Sequence, residues 1–320
     1  MRSRSAGFSL IELMIAMAVM LLISGAAVTA LLKLSTMQST IWNRTQMHSG
    51  IRGATEVLQQ EVGQAGRISL PAIVTLTSAA GLGATSLTVS STTGMFSGQK
   101  LTLGAGTSQE TVTVSADPTS STAVSTSATT IAHSSGDAVS VLGGFSAGII
   151  PPAASPWSYT NGSTEAVLKL FGDINGDGSM VYIEYSISPS CICTSTCTPS
   201  STTGNLYRNS MAWDVGTKTP ATASQILLGN VTANPNGSAC FTYQPSSVGG
   251  NIYVTDVAVT LTVQTQLVDP TTGKTQTETK ALLNVSPRNV FNTWELAGFG
   301  YTDRVQTIPA KITALLGGAS

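Results

Sequence analysis

Residues Phe8 to Leu32 read FSLIELMIAMAVMLLISGAAVTALL, 25 residues with a single charge, Glu12. As a helix rising 1.5 Å per residue this run is about 37 Å long, enough to cross a ~30 Å hydrocarbon layer with some tilt. It limits what the chain can become more than any other feature. Arg2 and Arg4 stand before it, which predicts a cytoplasmic amino terminus and export of everything after Lys33. An ordinary secretory signal has a shorter apolar stretch, followed by a small-residue cleavage site. Here the expected processing point lies ahead of the apolar run, at Gly7. Glu12 is the residue that asks for an explanation. A carboxylate inside a bilayer costs roughly 2.5–3.5 kcal/mol on insertion scales, and the apolar helix itself offers it no partner. Cleavage between Gly7 and Phe8 would create an α-amine four residues before Glu12. Within one helix that amine is a weak cap; between two staggered parallel copies it forms an ion pair in lipid. The plainer alternative is a signal anchor that tolerates one acidic residue near its end.

The run Gly7-Phe8-Ser9-Leu10-Ile11-Glu12-Leu13-Met14 resembles the class III signal of type IV prepilins and type II secretion pseudopilins. The resemblance implies that a prepilin peptidase cuts after Gly7 and that Phe8 becomes the N-methylated first residue. It also implies that Glu12 is the family's acidic residue for helix pairing during assembly. Further implied partners are major and other minor pilins or pseudopilins, the inner-membrane assembly platform and the membrane itself.

Past the membrane the helix is expected to continue. Apolar residues fall at Met37, Ile41, Ile51, Ala54, Leu58, Val62 and Ala65, near a 3.6-residue period, and no proline precedes Pro71. Gly63 and Gly66 end the pattern. A helix from Phe8 to about Gly66 is the long helix of pilins, and Leu58–Gly66 is similar to the segment closing that helix in PilW-like minor pilins.

Residues 72–143 are dominated by Ser, Thr, Ala, Val and Gly and contain no Trp, Tyr or Cys. Short alternating runs separated by glycine turns predict a small all-β module of four to six strands, with 116–136 the candidate for disorder. From Pro151 onward aromatic residues return, and strands are expected at 166–171, 181–187, 225–230, 252–267 and 280–285. The last two flank the turn Asp269-Pro270-Thr271-Thr272-Gly273 as a long hairpin. The tail from 290 to 320 has no assignment. The fold class expected is α+β, with a long transmembrane and amphipathic amino-terminal helix packed on an antiparallel β-sheet pilin head that carries an inserted all-β module. The divisions are a leader at 1–7, a helix at 8–66 with 8–32 in the membrane, the module at 67–148 and the head at 149–320.

Asp173-Ile174-Asn175-Gly176-Asp177-Gly178, with Glu184 beyond, fits the calcium-loop pattern D-x-[DN]-x-[DN]-G-x5-E. Asp173, Asn175 and Asp177 would give side-chain oxygens, Ser179 a backbone carbonyl and Glu184 a bidentate carboxylate. The flanks look like strands, so the loop is expected to cap a hairpin, where Glu184 can point away from an ion. PilW-like proteins and related pseudopilins carry a similar turn. The competing reading is a β-turn without an ion, and no other cofactor is expected.

The four cysteines, Cys191, Cys193, Cys197 and Cys240, all lie in the exported part. An oxidising periplasm favours disulfides. Cys191 and Cys193 are too close in sequence to pair without strain, so one is expected to bond Cys197 and the other Cys240. The spacing C-x-C-x3-C is not a usual zinc arrangement.

Net charge is −1 and only 10% of residues are charged, which leaves no basic excess for nucleic acid. Two histidines, His48 and His133, argue against a His-based metal site or a Ser-His-Asp triad. No nucleophile motif or phosphate loop occurs, so the chain is read as structural rather than enzymatic. The expected role is a PilW-like minor pilin, located in the bacterial inner membrane and then in the periplasm or an extracellular filament. A J-type pseudopilin of a type II secretion system and a pilin-signal-anchored adhesin are the alternatives.

Overall fold

The computed structural model describes residues 9–153, 159–194, 203–218 and 225–316. It is an α+β fold in which a long amino-terminal helix is followed by antiparallel sheets. Two compact units emerge, Met1–Ser49 with Gln264–Glu278, and Gly50–Val263 with Thr279–Ser320.

Helix α1 runs from Leu10 to Gln64 without a break. Ile51, Ala54, Thr55, Leu58 and Val62 are buried, a stripe at the three- and four-residue spacing of one helix face. Ala65 extends it. The predicted stripe therefore holds from Ile51 onward, whereas Met37 and Ile41 are exposed. Gly66 closes the helix with φ +78°, the left-handed conformation that suits glycine after a helix. A Cβ there would come within 2.7 Å of Val290.

The helix packs on a seven-stranded antiparallel sheet. Its strands are β8 (Val167–Gly172), β9 (Val181–Ser188), β10 (Gly204–Ala212), β11 (Ile226–Thr232), β12 (Phe241–Val248), β13 (Asn251–Gln264) and β14 (Thr277–Val285). The order is β12-β13-β11-β10-β9-β8, with β14 also paired to β13. Strand β9 is buried almost throughout because both its faces are covered. On one face Tyr185 reaches Glu61 of α1. On the other, Tyr182 joins a core with Phe96, Phe145, Phe171, Met180 and Ile312. Arg208 of β10 completes the attachment: its Nη2 lies 2.5 Å from Glu61 Oε1, and its Nε lies 3.1 Å from both carboxylate oxygens. This fork-to-carboxylate pairing fixes orientation as well as attraction. Burial and the neighbouring Glu61 charge push the Tyr185 phenol well above its ordinary range, so it stays a donor.

Between helix and sheet lie the strands β1 (Val74–Thr75), β2 (Ser86–Thr88), β3 (Lys100–Leu103), β4 (Glu110–Thr113), β5 (Ala123–Ser125) and β6 (Ala138–Val141). They form a four-stranded sheet, β1-β6-β3-β4, and a pair, β2-β5. Inward residues of these strands and of the positions flanking them, among them Leu76, Leu87, Val89, Leu101, Val112 and Val124, make an apolar cluster of their own. The stretch considered for disorder contributes β5, in register with β2 from Ser86↔Ser125 to Thr88↔Ala123.

The unassigned tail is structured as far as Leu316. Helix α2 (Arg288–Gly298) buries Val290, Thr293 and Ala297. Strand β15 (Val305–Gln306) then pairs in parallel with β7 (Gly144–Phe145), and helix α3 spans Ala310–Leu316. Trp294 Nε1 donates to Ser246 Oγ at 3.1 Å.

Candidate functional site

Among the described residues, the amino-terminal part of α1 has the longest exposed apolar run. Its apolar window has no residue buried inside the protein. Leu10, Met20, Leu21 and Leu22 are each more than 70% exposed, far beyond the single scattered apolar residues of a water-facing surface. A stripe exposed on all sides of a helix needs lipid or other helices around it.

Glu12 sits in the first turn of this helix. Its Oε2 accepts a hydrogen bond from the Ser9 N–H at 3.1 Å, half of the reciprocal arrangement that satisfies free N–H groups at helix starts. The positive end of the helix dipole favours a carboxylate there. Among the described residues no cation pairs with Glu12. Gly7 and Phe8, the expected cleavage and methylation positions, lie outside the described residues.

Of the residues expected to form a calcium shell, Asp173, Asn175, Asp177 and Ser179 share one loop and Glu184 lies outside it. The loop from Asp173 to Met180 does cap the β8–β9 hairpin, with Gly172 opposite Val181. Glu184, however, lies three residues into β9, opposite Lys169, and its Oε2 accepts from Tyr182 Oη at 2.9 Å. Asp173 is buried and already used. Its Oδ1 accepts from Gly176 N–H at 2.9 Å, and its Oδ2 accepts from Ser69 Oγ and faces Arg67 Nε at 3.6 Å. Asp177 accepts from Ser179 N–H at 2.8 Å, while Asn175 is exposed. Glu184 thus lies apart from the loop that holds Asp173, Asn175 and Asp177. The glycines have another reason to be there. Gly178 has φ +82° and lies so near Pro71 that a Cβ would come within 2.3 Å of its Cα.

Of the cysteines, Cys193 and Cys240 are joined to each other. Cys191 is disulfide-bonded as well, and Cys197 lies outside the described residues.

Sequence reasoning missed two polar clusters. One is Glu61–Arg208–Tyr185, described above. The other is in the module, where buried His133 stands between two carboxylates, Nε2 at 2.8 Å from Glu110 and Nδ1 at 3.3 Å from Asp137. Only the i,i+4 spacing of His133 and Asp137 was a local signal.

The family model for the prokaryotic N-terminal methylation motif matches residues 2–28. The chain thus carries a type IV prepilin-like class III signal at its amino terminus. No curated protein and no solved structure matches the chain.

Proposed function

We propose that this type IV pilin-like chain is a structural minor pilin of the PilW-like kind, which enters or primes a type IV pilus or related filament. The observation that carries the reading is the exposed apolar stretch of α1, whose one carboxylate, Glu12, meets only its own backbone. Such a surface is satisfied by lipid before assembly and by neighbouring helices afterwards. In the proposed sequence, prepilin peptidase hydrolyses the Gly7–Phe8 bond and the new α-amine of Phe8 is methylated, which keeps its positive charge. During extraction from the inner membrane the amine of one subunit pairs with Glu12 of a staggered neighbour. That pairing removes the roughly 2.5–3.5 kcal/mol cost of a lone carboxylate in an apolar setting.

Glu12→Ala is expected to leave export and membrane insertion unchanged. The amount of the subunit in sheared filaments should fall about tenfold or more, the factor given by ~1.4 kcal/mol. Normal incorporation would overturn the ion-pair mechanism. Mass spectrometry of the cellular protein should find a chain that begins at N-methylated Phe8; a chain that begins at Met1 would leave a plain bitopic anchor. Partners recovered with the mature chain separate the pilus reading from a J-type pseudopilin.

A second reading, a membrane-tethered adhesin, draws on the module's separate apolar cluster. Deleting 72–143 decides: lost adhesion with intact filaments favours the adhesin, lost filaments the minor pilin.

A further inference from the structure

The end of the head where α1 terminates carries a cleft that the assembly role does not use. Gly66 N–H donates to Phe171 O at 2.9 Å and Asp173 N–H to Arg67 O at 2.9 Å, so the β8–β9 turn lies beside the close of α1. Ala212, the last residue of β10, is opposite Val181, the first of β9, which brings Trp213 and Asp214 to the same end. There the end of β10, the module and the tail meet around a cleft of about 860 Å³, within the ~300–1,000 Å³ usual for a ligand site.

The walls of the cleft are tied in place. Phe96 is buried, and its ring centroid lies 5.6 Å from that of Trp213 and 6.2 Å from that of Phe145. Gln99 Oε1 accepts from Phe96 N–H at 3.2 Å. Lys218 Nζ donates to Trp213 O at 2.6 Å and to Val215 O at 2.5 Å, which fastens the loop after β10. On the tail side, Gly98 is so near Thr307 that a Cβ would come within 3.0 Å of its methyl group. A site of this kind is formed before any ligand arrives.

The lining has two kinds of group. Phe96, Pro118, Trp213, Ile308 and Pro309 give an apolar surface. Asp117, Asp214 and Lys311 are exposed and carry the charge. Asp117 Oδ1 accepts from Ser97 N–H at 2.7 Å, and its other oxygen has no partner among the described residues. Trp213 is half-buried, and its Nε1–H likewise makes no hydrogen bond among the described residues. A polyanion would meet two carboxylates here and a polycation the ammonium of Lys311, so neither is complementary to the whole lining. An uncharged ligand with an apolar face and both donors and acceptors on its edge satisfies every group. A sugar ring is such a ligand. Its C–H face lies against an aromatic ring, and its hydroxyls donate to carboxylates and accept from an ammonium or an indole N–H.

We propose that this cleft binds a neutral oligosaccharide, with Trp213 as the stacking surface, Asp117 and Asp214 as acceptors and Lys311 as a donor. None of these residues belongs to α1, so the inference stands apart from the filament reading.

The test uses the full chain in nanodiscs of phosphatidylethanolamine and phosphatidylglycerol, which keeps sugar-headed detergents out of the cleft. The probes are an array of neutral, sialylated and sulfated oligosaccharides, followed by calorimetric titration of the best neutral binder. Neutral glycans should bind, and their affinity should change by less than about twofold in about 1 M salt, where charges are screened beyond ~3 Å. Trp213→Ala should weaken binding about tenfold or more. Asp117→Asn and Asp214→Asn should each weaken it about threefold or more. Asp214 is exposed and makes no hydrogen bond among the described residues, so Asp214→Asn should melt as the unaltered chain does and separates lost binding from lost folding. Glu295→Gln, at an exposed position of α2, should leave the affinity unchanged. An array on which no neutral glycan binds overturns the proposal, as does neutral binding that survives both Trp213→Ala and Asp214→Asn. A preference for sialylated or sulfated chains that disappears in Lys311→Ala would assign the cleft to an anion, and the neutral-sugar proposal would be wrong.

Discussion

Buried His133 shows how individual residues hold the module together. Its imidazole spans Glu110 and Asp137, and Glu110 also accepts from Thr130 N–H at 2.7 Å, Thr130 Oγ1 at 2.6 Å and Ile131 N–H at 3.3 Å. One carboxylate thus ties the start of β4 to the segment that leads into β6. Burial alone would raise the Glu110 carboxyl, but the hydrogen bonds from Thr130, His133 and Ile131 outweigh it and hold the group below its ordinary value of 4.5. A lowered folded-state value means that this stabilisation is present above pH 4.5 and is lost as the pH falls through the folded value. Thermal melting of the full chain in detergent should therefore show a drop in midpoint on acidification below about pH 4.5. Glu110→Gln should lower stability by about 1–3 kcal/mol at neutral pH and flatten that acid limb. An unchanged acid limb in the variant would show that other carboxylates dominate it. None of this was legible in the sequence, where Glu110 and His133 are 23 residues apart and meet only because β3 and β4 fold back.

At the scale of elements, α1 is one helix with two environments. A single apolar periodicity ran from Met37 to Ala65, and the sequence could not say where its burial begins. The structure sets the change between Ile41, 62% exposed, and Ile51, 1% exposed. Leu58→Ala should cost about 2–5 kcal/mol, through lost transfer energy and the cavity left behind. Met37→Ala, on the same sequence stripe, should stay within about 0.5 kcal/mol. Denaturant unfolding of the two variants in detergent compares them directly, and equal losses would place Met37 in a core. The strands that the sequence yielded were those with a clean apolar run: β8, β9, β11, β13 and β14 match their expected spans to within a few residues. Two were missed. In β10 only Leu206 and Asn209 are buried, so no alternation stands out. In β12 Pro245 argues for a break, yet the strand lies at the sheet edge and absorbs the proline at an irregularity between Gln244 and Pro245.

The scale of the whole molecule is where long-range links are made. The Cys193–Cys240 bridge joins residues 47 apart in sequence and fastens the turn after β9 to the start of β12. Closing a loop of that size restricts the unfolded chain by about 4 kcal/mol in the loop-entropy model. Replacing both cysteines by alanine should cost about 2–4 kcal/mol in non-reducing denaturant unfolding of the full chain. A loss near zero would mean that the unfolded chain is already confined there, since Cys191 is bonded nearby.

What the amino-acid order determined by itself was local: an apolar run long enough for a bilayer, a cleavage-type signal around Gly7 and Phe8, the carboxylate of Glu12, and strands with strong alternation. Each depends on neighbours within a few residues, so the order of side chains is enough. Only the tertiary structure decided which half of α1 is covered and where the carboxyl-terminal tail goes. It also separated Glu184 from Asp173. A twelve-residue calcium pattern specifies spacing along the chain, but a strand rises ~3.3 Å per residue. Once Val181 begins β9, Glu184 is carried about 10 Å up the sheet to face Lys169, and Asp173 is left to Ser69, Gly176 and Arg67.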